Sequence, residues 1–145
     1  MTQVQTEATY AGDLTSWQAW DRLTDDPDAV LIDVRSEAEW DFVGRPDLSR
    51  LDKTPFFVAW QHYPGMRPNA DFLQQVEAAG IDKSAAILLL CRSGARSRNA
   101  AIALTFAGYT SCFNVADGFE GPRDDNGQRG SKEGWKAAGL PWTQK

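Results

Sequence analysis

Residues 88–107 read LLLCRSGARSRNAAIALTFA, and this stretch decides the fold. It completes an uncharged apolar run that starts at Ala85, stops at Cys91, passes through an arginine-rich turn containing Gly94, and becomes an alanine-rich helical pattern closed by Gly108. The order is strand, tight loop, helix, with a cysteine at the end of the strand. The first amides of a helix lack intrahelical acceptors and carry the positive end of the dipole, so a loop that curls into a helix N-terminus is a cradle for anions. Cys91 is expected at the rim of that cradle. Arg92, Arg96 and Arg98 add charge to the amides, a setting that favours thiolate over thiol and makes a nucleophile of what would otherwise be a small buried hydrophobe.

The heptapeptide CRSGARS, residues 91–97, resembles the active-site loop of the rhodanese-like sulfurtransferases. Cysteine-dependent phosphatases carry a longer spacer between cysteine and arginine, which makes a ring wide enough for a phosphoryl group. The shorter spacer here suits a persulfide sulfur. A second match lies at LIDVRSEAEWDFVG, residues 31–44, which resembles the signature in which Asp-x-Arg precedes a short helix and a glycine. The resemblance departs after Gly44, where family members commonly continue His-Ile-Pro-Gly-Ala and this chain has Arg45-Pro46-Asp47-Leu48-Ser49. It resumes at residues 116–121, ADGFEG, where Asp117 stands in the first place of a customary double glycine.

The resemblance implies a sulfurtransferase that takes a sulfane sulfur from thiosulfate or another persulfide donor onto Cys91 and passes it to a thiophilic acceptor. The loop Arg92, Ser93, Gly94, Ala95, Arg96 and Ser97 would hold the persulfide through its amides and hydroxyls, with Arg92 and Arg96 orienting an anionic donor and Arg98 facing solvent. Asp33 and Arg35 would support it as a mutual ion pair bracing the loop. No cofactor and no metal is implied. The alternatives are a non-catalytic rhodanese-like binding or regulatory module and, more remotely, a phosphatase or arsenate reductase.

Around these motifs the chain alternates strand and helix. A short edge strand is expected at Tyr10 to Asp13, and Thr15 opens a capping box before a helix whose Trp17, Trp20 and Leu23 face the core. Ala29 to Val34 is a continuous apolar strand, Ser36 to Glu39 a second capping box, and Gly44 the stop of its helix. Thr54 to Trp60 reads as the next strand and Gln61 to Met66 as a turn-rich loop whose His62 is a surface or packing residue. Asn69 is expected to cap a helix with Phe72, Leu73, Val76 and Ala79 inward. The helix from Arg96 to Ala107 sets Ile102, Leu104 and Phe106 against the sheet, and Cys112 to Val115 is the last strand. This pattern predicts an α/β fold with an open parallel five-stranded sheet flanked by helices on both faces.

At 145 residues the chain suits one domain spanning 1–145, with its core at about 10–122 and a C-terminal loop and anchored tail over 123–145. Trp135, Leu140, Pro141 and Trp142 are the expected anchors, docking a C-terminal helix; the turn-rich stretch 122–134 is either a lid or an ornament. The two cysteines, at opposite ends of their strands, are not expected to pair, and Cys112 reads as a core residue. The polar opening residues carry no signal peptide and no apolar run is long enough to span a bilayer, so a cytoplasmic location is expected. The net charge of −5 argues against nucleic acid as a partner, while the basic loop would draw a small anionic donor.

Overall fold

The computed structural model describes residues 10–130 and 132–144; the polar opening stretch before residue 10 lies outside the described residues. Five parallel strands form one sheet: β1 (Gly12–Leu14), β2 (Val30–Asp33), β3 (Phe56–Phe57), β4 (Ala86–Leu90) and β5 (Ser111–Val115). Their spatial order is β1-β5-β4-β2-β3, so β4 is central, paired to β2 on one side and β5 on the other. Every residue of β4 is buried, which is why its sequence is an unbroken apolar run and does not alternate with polar residues. The helices are α1 (Ser16–Asp25), α2 (Glu37–Phe42), α3 (Phe72–Ala78) and α4 (Ala95–Phe106). The α/β architecture expected from the sequence is present.

Successive side chains of β4 serve opposite layers. Ile87 and Leu89 join Ile32, Val34, Phe72, Val76, Ala100, Ala101 and Leu104 beneath α3 and α4. Ala86, Leu88 and Leu90 join Ala19, Leu23, Leu31, Phe119, Trp135 and Leu140 beneath α1 and the C-terminal segment. Alanines at 100 and 101 bring α4 close to the sheet.

Several expectations are corrected by the packing. The buried face of α1 is Ser16, Ala19 and Leu23, leaving Trp17 54% exposed. A constant spacing of three drifts around a helix of 3.6 residues per turn, so Trp17 leaves the face that Leu23 occupies. Trp20 sits at the margin, edge-on to Trp135 at 6.0 Å. Phe106 ends α4 exposed and Leu73 is only partly covered, so neither belongs to the core. Asn69 does not cap α3. Its side chain donates to the Ala59 carbonyl at 2.8 Å and accepts from the Asp71 amide at 3.0 Å, so its bonds close the preceding loop and Asp71 takes the cap position.

The strand expected over Thr54 to Trp60 contracts to β3, although the Val58 and Trp60 amides still donate to the Asp33 and Val34 carbonyls. Gln61–His62 then pairs antiparallel with Arg67–Pro68, making a small hairpin where only a loop is expected. Among the described residues no C-terminal helix forms. Trp135 is wholly buried and its indole donates to the Pro141 carbonyl at 2.7 Å, after which Trp142–Thr143 pairs antiparallel with Arg45–Pro46. Gly139 adopts a positive φ of 77° and Pro141 follows it, a combination that stops the winding after the single turn in which the Ala138 amide donates to the Gly134 carbonyl at 2.9 Å. Among the described residues no helix is long and apolar enough to cross a membrane.

Because Trp135 fills the layer under β4, Trp135→Ala is expected to cost about 3–5 kcal/mol in a urea unfolding titration. A loss below about 1 kcal/mol would show that the C-terminal segment adds little to the core.

Candidate functional site

The parity of β4 continues one residue past the strand, so Cys91 projects to the α4 side. There its Sγ accepts the Gly94 amide at 3.2 Å and the Ser97 amide at 3.3 Å, and lies 3.2 Å from Ser97 Oγ. Cys91 is 1% exposed. It therefore occupies the floor of the cradle and not its rim, because the loop wraps the sulfur on its way into α4. Gly94 and Ser97 supply the amides that reach the sulfur, while Arg92, Ser93 and Ala95 stand exposed on the outer arc.

The arc is held from behind by residues 116–121. The Phe119 amide donates to the Cys91 carbonyl at 2.8 Å, and those of Glu120 and Gly121 to the Arg92 carbonyl at 3.1 Å. This approach is so close that a Cβ on Gly118 would collide with the Arg92 carbonyl, and one on Gly94 with the Ala116 carbonyl. Both glycines also carry positive φ, so the two turns admit no side chain on either count.

One participant went unnoticed in the sequence. Ser97 Oγ donates to Asn114 Oδ1 at 2.5 Å, Asn114 Nδ2 donates to Asp13 Oδ1 at 3.2 Å, and the Tyr10 hydroxyl donates to the same carboxylate oxygen at 2.9 Å. The Asp13 carboxylate only accepts, which orients the Asn114 amide and turns its oxygen to Ser97. The signal was a polar residue inside the otherwise buried end of β5.

Asp33 and Arg35 form the expected ion pair, at 2.7 Å with both side chains fully buried. Arg35 also donates to the Gly44 carbonyl at 2.7 Å and lies 4.2 Å over the Phe119 ring. These contacts tie the end of β2 to the end of α2 and to the loop behind Cys91.

Arg96 departs from its expected part. Its guanidinium forms a two-pronged pair with Glu39 of α2, at 2.6 and 2.9 Å. Burial alone would raise the Glu39 carboxyl, but the Arg96 guanidinium, with the Ser36 amide and hydroxyl, overcomes it and lowers the group from the ordinary 4.5 to about 2. Arg92 is exposed in the wall of an adjoining cleft of about 690 Å³, also lined by Glu39, Phe42, Tyr63, Met66 and Glu120. No described residue of 122–134 lines this cleft. His62, half-buried on the hairpin, lies 3.7 Å from Glu37. Arg98 is exposed near the Tyr10 ring, as expected. Cys112 is buried in the core, its thiol pushed up to about 11 by that burial.

The family model described as the STR4 middle domain matches residues 12–145. An uncharacterized protein of Rickettsia conorii is 40% identical over 130 residues, covering 89% of this chain and 94% of its own length. The chloroplast protein of Oryza sativa subsp. indica named thylakoid rhodanese-like is 29% identical over 91% of this chain, which spans 25% of that longer protein. The crystal structure of Rv0390 from M. tuberculosis is 49% identical, with a TM-score of 0.87 over 94% of this chain and 99% of that one. The solution structure of a polysulfide-sulfur transferase homodimer from Wolinella succinogenes shares the fold, with a TM-score of 0.61 at 21% identity over 99% of this chain and 87% of that one.

Two outcomes follow from the geometry. The unfolded chain binds more protons than the folded one between the ordinary Glu39 value of 4.5 and about 2, so the stability from this carboxylate is complete above that window and lost as pH falls through it. Its size is on the order of 3 kcal/mol, and Arg96→Gln should flatten acid unfolding over the same window, followed by circular dichroism. Gly118→Ala should destabilise by clearly more than Gly127→Ala, which shares a positive φ but meets open space and should cost about 1 kcal/mol. Equal thermal shifts would show the loop contact to be yielding.

Proposed function

The chain belongs to the STR4 middle domain family, and on that premise we propose that it is a rhodanese-like sulfurtransferase in which Cys91 carries a sulfane sulfur. The observation that carries this reading is a single sulfur at the N-terminus of α4 that accepts two backbone amides, with Ser97 Oγ 3.2 Å away. Such a setting stabilises negative charge on sulfur by the logic of an oxyanion hole. The rice relative named rhodanese-like supports it.

In the proposed reaction the Cys91 thiolate attacks the sulfane sulfur of thiosulfate. The new Sγ–S bond forms as the donor S–S bond breaks, and sulfite leaves with the bonding pair. A thiophilic acceptor then attacks the outer sulfur of the persulfide and expels the Cys91 thiolate, so no oxidant is consumed. Arg92, exposed on the cleft wall, meets the incoming donor. The Asp33–Arg35 pair and the Glu39–Arg96 pair position the loop without touching substrate.

A second reading, a non-catalytic binding module, is favoured by the near-complete burial of Cys91. Intact mass after exposure to thiosulfate separates the two. The expected result is a gain of one sulfur atom that cyanide removes and that falls to background in Cys91→Ser, a replacement that nearly keeps the volume in the core. If neither thiosulfate nor any other persulfide donor loads the wild-type protein, the enzymatic reading is wrong.

A further inference from the structure

We propose that the cleft beside the Cys91 loop selects a low-molecular-weight organic persulfide, R–S–SH, with an apolar body, in preference to a compact inorganic dianion, and that Phe42, Tyr63 and Met66 set this choice. The inference deepens the sulfurtransferase reading and rests on it.

The first support is where exposed apolar surface collects. Among the described residues seven large hydrophobic side chains are exposed, and three of them, Phe42 at 79%, Tyr63 at 63% and Met66 at 37%, line this one cleft. Single exposed hydrophobics are ordinary; a group of them around a concavity that the Cys91 loop borders through Arg92 and Arg96 marks a binding surface. They come from separate elements. Phe42 ends α2, whereas Tyr63 and Met66 lie on the turn between Gln61–His62 and Arg67–Pro68.

Charge and size point the same way. Two arginines and two glutamates line the cleft, and the Arg96 guanidinium is already committed to Glu39. A dianion therefore meets Arg92 with Glu120 nearby, and no net positive wall. The volume of about 690 Å³ falls in the range of pockets for small organic ligands and far exceeds the needs of thiosulfate.

The wall carrying Phe42 is also braced. The Phe42 carbonyl accepts from Gln144 Nε2 at 2.9 Å, and that of Val43 from Lys136 Nζ at 2.8 Å. The Phe42 ring is thus displayed from a tethered helix end.

The transfer balances without a further reagent. The Cys91 thiolate attacks the outer sulfur of R–S–SH, the Sγ–S bond forms, the donor S–S bond breaks, and R–S⁻ leaves with the pair. The proton of the donor stays on the transferred sulfur or passes to R–S⁻.

The test measures kcat/KM for sulfur loading on the full chain with benzyl persulfide and with thiosulfate, and repeats both with Phe42→Ala and Phe42→Ala/Tyr63→Ala. Wild type should prefer benzyl persulfide. Each truncation should lower its kcat/KM about tenfold while thiosulfate changes by less than about twofold. Both side chains are exposed, so the folded state should persist, checked by circular dichroism. Equal preference in wild type, or losses that are equal for both donors or absent, would overturn the cleft assignment and leave the sulfurtransferase reading standing. Loading by a protein-borne persulfide alone would do the same. If no donor of any kind loads Cys91, both readings fall.

Discussion

The alternation of side chains along β4 sends Ile87, Leu89 and Cys91 to the layer covered by α4, and the chemistry of the site depends on that parity. Moved by one residue, the sulfur would face the layer of Phe119 and Trp135 and lose the Gly94 and Ser97 amides. Register in a central strand buried on both faces is strongly fixed, since a slip would exchange its two packed layers at once. The hydrophobic core thus aims the Cys91 sulfur, and the glycines at 94 and 118 let the surrounding turns close on it.

Two ion pairs divide the remaining labour. Asp33–Arg35 is wholly buried and knits together β2, the end of α2 and the loop behind Cys91; removing one partner would strand a charge in the interior. Glu39–Arg96 lies nearer solvent and joins α2 to the first turn of α4. It holds the cradle to the cleft wall while cancelling the charge that an arginine beside Cys91 would otherwise offer to an anion.

The sequence made β2, β4, α4, both capping boxes and the Cys91 loop legible because each is determined by local pattern: an apolar run, a cap residue, a glycine. It was less informative where partners distant in the chain decide the outcome. Helix period turns Trp17 off the buried face, while the partial cover of Trp20 comes from Trp135, far along the chain. The role of Arg96 could not be read from its neighbours, since its carboxylate partner comes from α2. Asn114 stands out in sequence only as a polar residue in a strand; its meaning depends on Ser97 and Asp13, neither close in sequence. The depth of Cys91 was misjudged because a strand-end position does not reveal how tightly the next loop folds over it.

The pairing of Trp142–Thr143 with Arg45–Pro46 has a consequence for how the molecule communicates internally. The Trp142 ring lies where any side chain at position 44 would sit, and Gly44 in turn supplies the carbonyl that Arg35 holds. The last strand, the helix end bearing Phe42 and the buried arginine form one mechanical circuit. Whatever occupies the cleft and whatever loosens the carboxyl-terminal strand draw on the same linked equilibrium, so a ligand should slow hydrogen exchange in the tail, and release of the tail should weaken the ligand by the same factor.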